Sequence, residues 1–300
     1  MSRAVLQLWP TVARGLVPAL AMLAAGLIVG WPFSILGYYW GLLALVGAWR
    51  RFGWLRMLAA TVRRFRTIRT PSVMLYYSPL AGDQILIRAF VRTVEIELED
   101  LARKFGRPLR RPVAVYLFAR RAEVARLLGP QFGGFALLQA NAIVLSLDCV
   151  WDEFVRHELS HLFAGRWSKL APPLLQEGLA VWLQGTHYGR RIDDAARAAL
   201  GRRELPLDVL MDPGRFFHPE YMSDCYTLAG SFTRFLIGRF GWDAYRRLYR
   251  RCDGRRFAAR FRQSLGMSLD DAHWEWRLEL RLGDGPTAGS ALCPGPDPLR

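Results

Sequence analysis

Apolar and polar positions follow different rhythms along the 300 residues. From Gly15 to Trp49 no charged residue occurs, and arginines bracket the run at Arg14 and at Arg50 and Arg51. One bilayer crossing takes about 20 residues, so this run is too long for one crossing and just long enough for two short ones. Trp31 and Pro32 break it near the middle. The reading is a transmembrane hairpin, 15–31 and 33–49, within a segment 1–49, with Trp31, Tyr38, Tyr39 and Trp40 suited to the interface. A cleaved signal peptide fits poorly, because the run is too long and no small-residue cleavage pattern closes it. Residues 50–69 form a basic juxtamembrane segment. They read as an amphipathic helix on anionic headgroups, with Trp54, Leu55, Met57, Leu58 and Val62 toward lipid, or else as a plain linker.

Shorter periods follow. Short apolar runs bounded by turn residues predict strands over 72–77, 113–118 and 142–147, and spacings of three and four predict a long helix over 84–105, with Ile85, Phe90, Val94, Leu98 and Leu101 in its stripe. A short helix over 122–128 and a turn at Gly133 and Gly134 lie between the later strands. Helical patterns return over 152–164, from Pro173 onward, and over 223–240, 242–252, 255–265 and 269–282. Phe257/Phe261 and Trp274/Leu278 are apolar pairs in the last two. Between Gly185 and Phe217 the chain is polar and broken by Pro206, Pro213 and Gly214, which suits a lid or a surface loop. After Gly283, Gly and Pro dominate without a core pattern, so 283–300 is expected to be a disordered tail. The fold class is therefore α+β: a small mixed sheet, then a mostly helical half, over 70–282.

Charge sharpens the membrane reading. The net charge is +15, yet lysine occurs only at 104 and 169, and no Gly-rich phosphate loop or basic platform interleaved with aromatics appears. Nucleic acid is not an expected partner. Arg50, Arg51, Arg56, Arg63, Arg64, Arg66 and Arg69 follow the apolar run closely, against Arg3 and Arg14 before it, so the downstream part is expected on the cytoplasmic side of a multi-pass inner-membrane protein. Four cysteines, at 149, 225, 252 and 293, form no CxxC pair and suit free thiols in a reducing compartment.

The chemistry concentrates in DEFVRHELSHLFAGRWSKLAPPLLQEGLA, residues 152–180. His157 and His161 stand one helical turn apart on one face, so both imidazoles can reach a single ion about 2.0–2.1 Å away. Glu158 is one residue off that pair, where it can take a proton from a water at the metal. Asp152 suits the helix start and Gly165 a left-handed stop, with Val155, Leu159, Leu162 and Phe163 as the apolar stripe. Pro172 and Pro173 suit the first turn of the next helix, where Leu175, Leu179 and Trp182 are the stripe and Glu177 lies on another face. A short connection makes the helices neighbours and brings Glu177 within reach as a third ligand, leaving a fourth position for water. His187 and His218 read as solvated loop histidines.

HELSH followed by PPLLQEGLAVWL resembles the gluzincin zinc metallopeptidases, most closely the peptidase MA-like proteins. The likeness spans about 70–280, although its specific residues lie in the two metal helices and the helix at 223–240. It implies a thermolysin-like zinc-peptidase domain with His157, His161 and Glu177 as Zn2+ ligands and Glu158 as catalytic base. It further implies a tyrosine at the start of a later helix, Tyr226 with Tyr221 behind it, hydrogen-bonding the oxyanion. A packed aromatic is the plainer reading of Tyr226. The resemblance also implies that strand 142–147 is an edge to which an extended peptide or protein substrate adds; a buried strand is the alternative. Two departures stand out: Gln176 where many relatives have Asn, and Val181 where thermolysin-like enzymes carry the Asp that supports a zinc histidine. The partners expected are thus a peptide substrate and membrane lipid, through the hairpin and the basic segment. The second functional class compatible with these residues is a catalytically silent, membrane-tethered peptide-binding module that keeps the metal.

Overall fold

The computed structural model describes residues 61–109, 112–128, 133–148, 151–187, 189–252 and 256–282. The expected hairpin, the basic segment as far as residue 60 and the tail 283–300 lie outside the described residues. Among the described residues no helix is long and apolar enough to cross a membrane. The fold is mixed α+β, in two compact units. One holds the described residues up to Lys169 with Leu183–Gly185; the other holds Leu170–Trp182 and the chain from Thr186 onward.

In chain order the first unit contains β1 (Arg66–Arg69), β2 (Val73–Tyr77), α1 (Gln84–Phe105), β3 (Val113–Phe118), α2 (Arg121–Leu128), β4 (Gly134–Leu137), β5 (Ala142–Ser146) and α3 (Trp151–Ala164). The sheet order is β1-β2-β3-β5-β4, parallel at β2/β3 and β3/β5 and antiparallel at both ends. Every residue of β3 and β5 is buried, as expected for central parallel strands covered on both faces. Tyr76, Ala114, Tyr116, Phe118, Ala142 and Val144 fill one face with Val124 of α2. α1 and α3 pack on one another, α1 on β2, and α3 on β4 and β5.

Four expectations change here. Strand β5 is not an edge: it pairs with β3 on one side and β4 on the other, so among the described residues the sheet ends at β4. The basic segment does not stay helical to Arg69, since Arg66–Arg69 add to β2 as an edge strand that tolerates arginines facing water. Val62, expected toward lipid, is 2% exposed within the core cluster. On α1, Ile85 is 80% exposed, whereas Ile87, Phe90, Val94, Leu98, Leu101 and Phe105 are buried. A two-residue step of about 200° carries Ile85 to the opposite side of the helix from Ile87. Asp83 caps α1 by accepting the Leu86 N–H at 2.8 Å, and Gly106, at φ 77°, closes it in the left-handed region.

The second unit contains most of α4 (Pro173–Gln184), whose last turn groups with the first unit, then the hairpin β6 (Thr186–His187) and β7 (Arg190–Arg191). After these come α5 (Ile192–Arg202), α6 (Leu207–Met211), α7 (Pro213–Phe216), α8 (Met222–Phe240), α9 (Trp242–Arg251), α10 (Phe257–Leu265) and α11 (Leu269–Leu282). The expected loop over 185–217 is thus a hairpin and three helices. Ile192, Ala195, Ala196 and Ala199 bury one face of α5, a stripe of alanines too weak to read among arginines. Trp274 and Leu278, expected as a core pair, are 65% and 39% exposed. The buried face of α11 is Ala272, Trp276 and Leu280 instead.

Helix α8 packs on α5, α9 and α11, and a buried polar network crosses it at Ser231. Ser231 donates to Asp193 at 2.7 Å and accepts from the Trp276 indole at 3.0 Å. Asp193 also pairs with Arg234. Cys225 and Cys252 are buried free thiols.

Candidate metal centre

Helix α3 spans Trp151–Ala164, with Asp152 in its first turn. At the other end Gly165 stops the helix without a left-handed φ. What requires glycine there is space, because a Cβ would meet the His161 carbonyl oxygen at 2.9 Å and the Leu138 side chain at 3.0 Å. Arg156 ties α3 to α1 through Glu97 at 2.6 Å and Asp100 at 2.8 Å. That anchor precedes the first histidine by one residue.

His157 and His161 face each other, Nε2 to Nε2, at 3.3 Å. With Glu177 they form a group whose ligand atoms all lie within 4.8 Å of one another. Two nitrogens each about 2.0–2.1 Å from a tetrahedral zinc stand roughly 3.3 Å apart, so the spacing of the imidazoles suits that ion. The protonation pattern agrees. Gln184 Nε2 donates to Glu153 Oε2 at 3.3 Å, which leaves Gln184 Oε1 as an acceptor, 3.1 Å from His157 Nδ1. His157 therefore carries its proton on Nδ1 and presents the Nε2 lone pair toward His161. Two histidine nitrogens and a buried carboxylate are a donor set that zinc takes readily.

Glu158 is 6% exposed and lies outside the three-residue group. Its Oε1 is 3.4 Å from where a Cβ on Gly134 would stand, which puts the carboxylate against the start of edge strand β4. At the same glycine a Cβ would meet Val144 O at 2.8 Å, so any side chain there disturbs the β4/β5 pairing too.

The helix that carries Glu177 is held closely in the second unit. Pro172 accepts from Leu175 N and Gln176 N, which starts α4 at Pro173 as its prolines lead one to expect. Gly178, next to Glu177, lies against α8: a Cβ there would collide with Thr233 Oγ1 and sit 2.5 Å from Ala229 O. Gly230 of α8 is likewise pressed against Val181. The buried Tyr245 hydroxyl donates to Leu175 O at 3.1 Å and lies 3.3 Å from Thr233 Oγ1. One turn further on, burial pushes the Tyr249 hydroxyl well above its ordinary range, helped by Tyr245 and by the negative charge of Glu177.

Tyr226 is half-buried in the first turns of α8, ringed by His187, Phe216 and Phe217 at centroid distances of 6.4, 5.3 and 6.3 Å. His187 is not a solvated loop residue, for it is half-buried in β6 and stacks on Tyr226. His218 is exposed, as expected, and stacks on Tyr221.

Sequence reasoning missed Gln184, Glu153, Tyr245 and Tyr249. Two of these left a signal: Gln184 is two helical turns beyond Glu177 and Glu153 one turn before His157, so each shares a face with a ligand. Gln184 lies one turn beyond Val181, the position where thermolysin-like enzymes carry the supporting Asp. No protein-family model matches the chain, and no curated protein matches it.

Proposed function

We propose that the protein is a zinc-dependent metallopeptidase. More particularly, it is read as a gluzincin of the peptidase MA-like type, anchored in the inner membrane by residues 1–49 with its catalytic part in the cytoplasm. The observation that carries this reading is the 3.3 Å approach of His157 Nε2 to His161 Nε2 with the Glu177 carboxylate in the same group.

His157, His161 and Glu177 would hold the ion, and Gln184 keeps His157 in the tautomer that can. Zinc, when bound, lowers the pKa of water toward about 7 and polarises a carbonyl. Glu158, buried and next to the ligand pair, takes the proton of the attacking water and returns it to the departing amine. An extended peptide pairs along edge strand β4 through main-chain hydrogen bonds, which are indifferent to side-chain identity, beside the Glu158 carboxylate. Tyr226 donates its hydroxyl to the carbonyl oxygen as negative charge develops there.

The test is hydrolysis of a quenched-fluorescent peptide library by the full chain in detergent. Cleavage that stops with a zinc chelator and returns with zinc supports the reading. Undiminished cleavage by Glu158→Gln, or a zinc-loaded chain with no cleavage of any peptide, contradicts it, the latter in favour of a peptide-binding module.

A further inference from the structure

Arginine pairs with acid over most of the second unit. Arg197, Arg202, Arg203, Arg215, Arg234 and Arg277 each meet an aspartate or a glutamate. Helices α9 and α10, which pack on each other, depart from that habit beyond the Arg246–Asp243 pair at 3.1 Å. Arg247, Arg250 and Arg251 on α9, and Arg256, Arg260 and Arg262 on and beside α10, are all exposed. Among the described residues none of the six is in an ion pair; Arg260 reaches only the Gln263 side chain, at 3.3 Å. On α9 the opposite face, Ala244, Tyr245, Leu248 and Tyr249, is buried, so the charge is displayed on one side. A codon preference for arginine explains how many there are but not why six of them gather without acidic partners on two adjacent helices.

We propose that the α9–α10 face is a docking surface for the anionic headgroups of a lipid bilayer. Six uncompensated guanidiniums repel one another and are stabilised by a surface of opposite charge. Guanidinium groups also match phosphate oxygens in pairs, which a headgroup layer offers at any lateral position. A bilayer is chosen over a nucleic acid because the same chain carries 35 residues, 15–49, without a charge, which bring it to a membrane. On α11, which packs on α10, Trp274 and Leu282 are 65% and 74% exposed, apolar groups of the kind that settle at an interface. The choice of lipid rests on the membrane reading above, whereas the arginine face does not. Such a contact would hold the second unit at the bilayer through a surface separate from the anchor and from the metal ligands.

The experiment places the full chain in lipid nanodiscs of phosphatidylcholine alone or with phosphatidylglycerol added, and follows amide hydrogen exchange across α9 and α10. Retention of the chain in the discs after carbonate treatment reads the anchor separately. Protection of α9 and α10 only with phosphatidylglycerol is expected, fading as salt rises and lost in R250E/R251E but kept in R250K/R251K. Each basic side chain removed weakens the contact roughly fivefold. Equal exchange in the two kinds of disc overturns the proposal even when the anchor is intact. Protection by an added duplex oligonucleotide but not by anionic lipid overturns it in favour of a nucleic acid.

Discussion

Gln184 accepts a hydrogen bond from His157 Nδ1 at 3.1 Å while its own amide donates to Glu153 at 3.3 Å. In many zinc sites a carboxylate does directly what this relay does for His157: it fixes the tautomer and the ring plane of the imidazole. Gln184→Ala is expected to weaken zinc binding about 10- to 100-fold while shifting thermal stability little. Competition with a chelating dye measures the first and calorimetry of the zinc-free chain the second. Unchanged affinity would take Gln184 out of the site.

Glu158 has no place among the ligands, so its amide variant should separate binding from turnover. Glu158→Gln is expected to keep zinc and to lose peptide hydrolysis by about 10²–10⁴-fold, the usual contribution of a positioned base. Loss of zinc together with activity would mean that Glu158 holds the ion.

Gly178 sets the distance between the Glu177 helix and α8. Adding a methyl group drives it toward Ala229 O at 2.5 Å, backbone that has no easy way to yield. Gly178→Ala is expected to destabilise the chain by about 1–3 kcal/mol and to loosen zinc at the same time. Denaturant unfolding read beside zinc affinity checks both. Gly189→Ala is a control for substituting glycine: nothing lies within 4 Å of its Cβ position, although its φ of 70° adds some strain.

His273 gives the second unit a pH dependence of definite sign. Burial first, and then Arg277, hold its imidazole below the ordinary 6.5, while Asp270 and Glu204 oppose them more weakly. The unfolded chain thus takes the proton more readily, and stability is full above about pH 6.5 and falls as pH drops through that value. In His273→Gln that part of the decline should vanish. Denaturation midpoints of the two zinc-free chains from pH 7.5 down to 5 should diverge; parallel curves would contradict the assignment.

How much of this could be read beforehand differs from element to element. His157, His161 and Glu177 were legible because spacing within a helix fixes which residues share a face, and the length of the connection limits where the next helix begins. The α1 and α11 boundaries followed from helical spacing for the same reason, and those of β3 from an unbroken apolar run. What depends on how one element meets another was not legible. Whether β5 or β4 ends the sheet is decided by a pairing across a turn, and Ala142–Ser146 reads equally well as edge or interior. On α11, Trp274/Leu278 and Trp276/Leu280 are both apolar pairs four residues apart, and only packing against α8 chooses the second. Gln184 became part of the site through the placing of two helices that spacing does not state. Nothing in the sequence marked α5, whose buried residues are one isoleucine, three alanines and the paired Asp193.

The central claim is that three side chains hold one zinc ion. Its most direct test is the zinc content of the full-length protein by mass spectrometry, with His161→Ala and Glu177→Ala alongside and folding verified for each. Close to one zinc per chain is expected in the parent and little in either variant. A folded parent that takes up no zinc, or variants that keep it as well as the parent does, would contradict it.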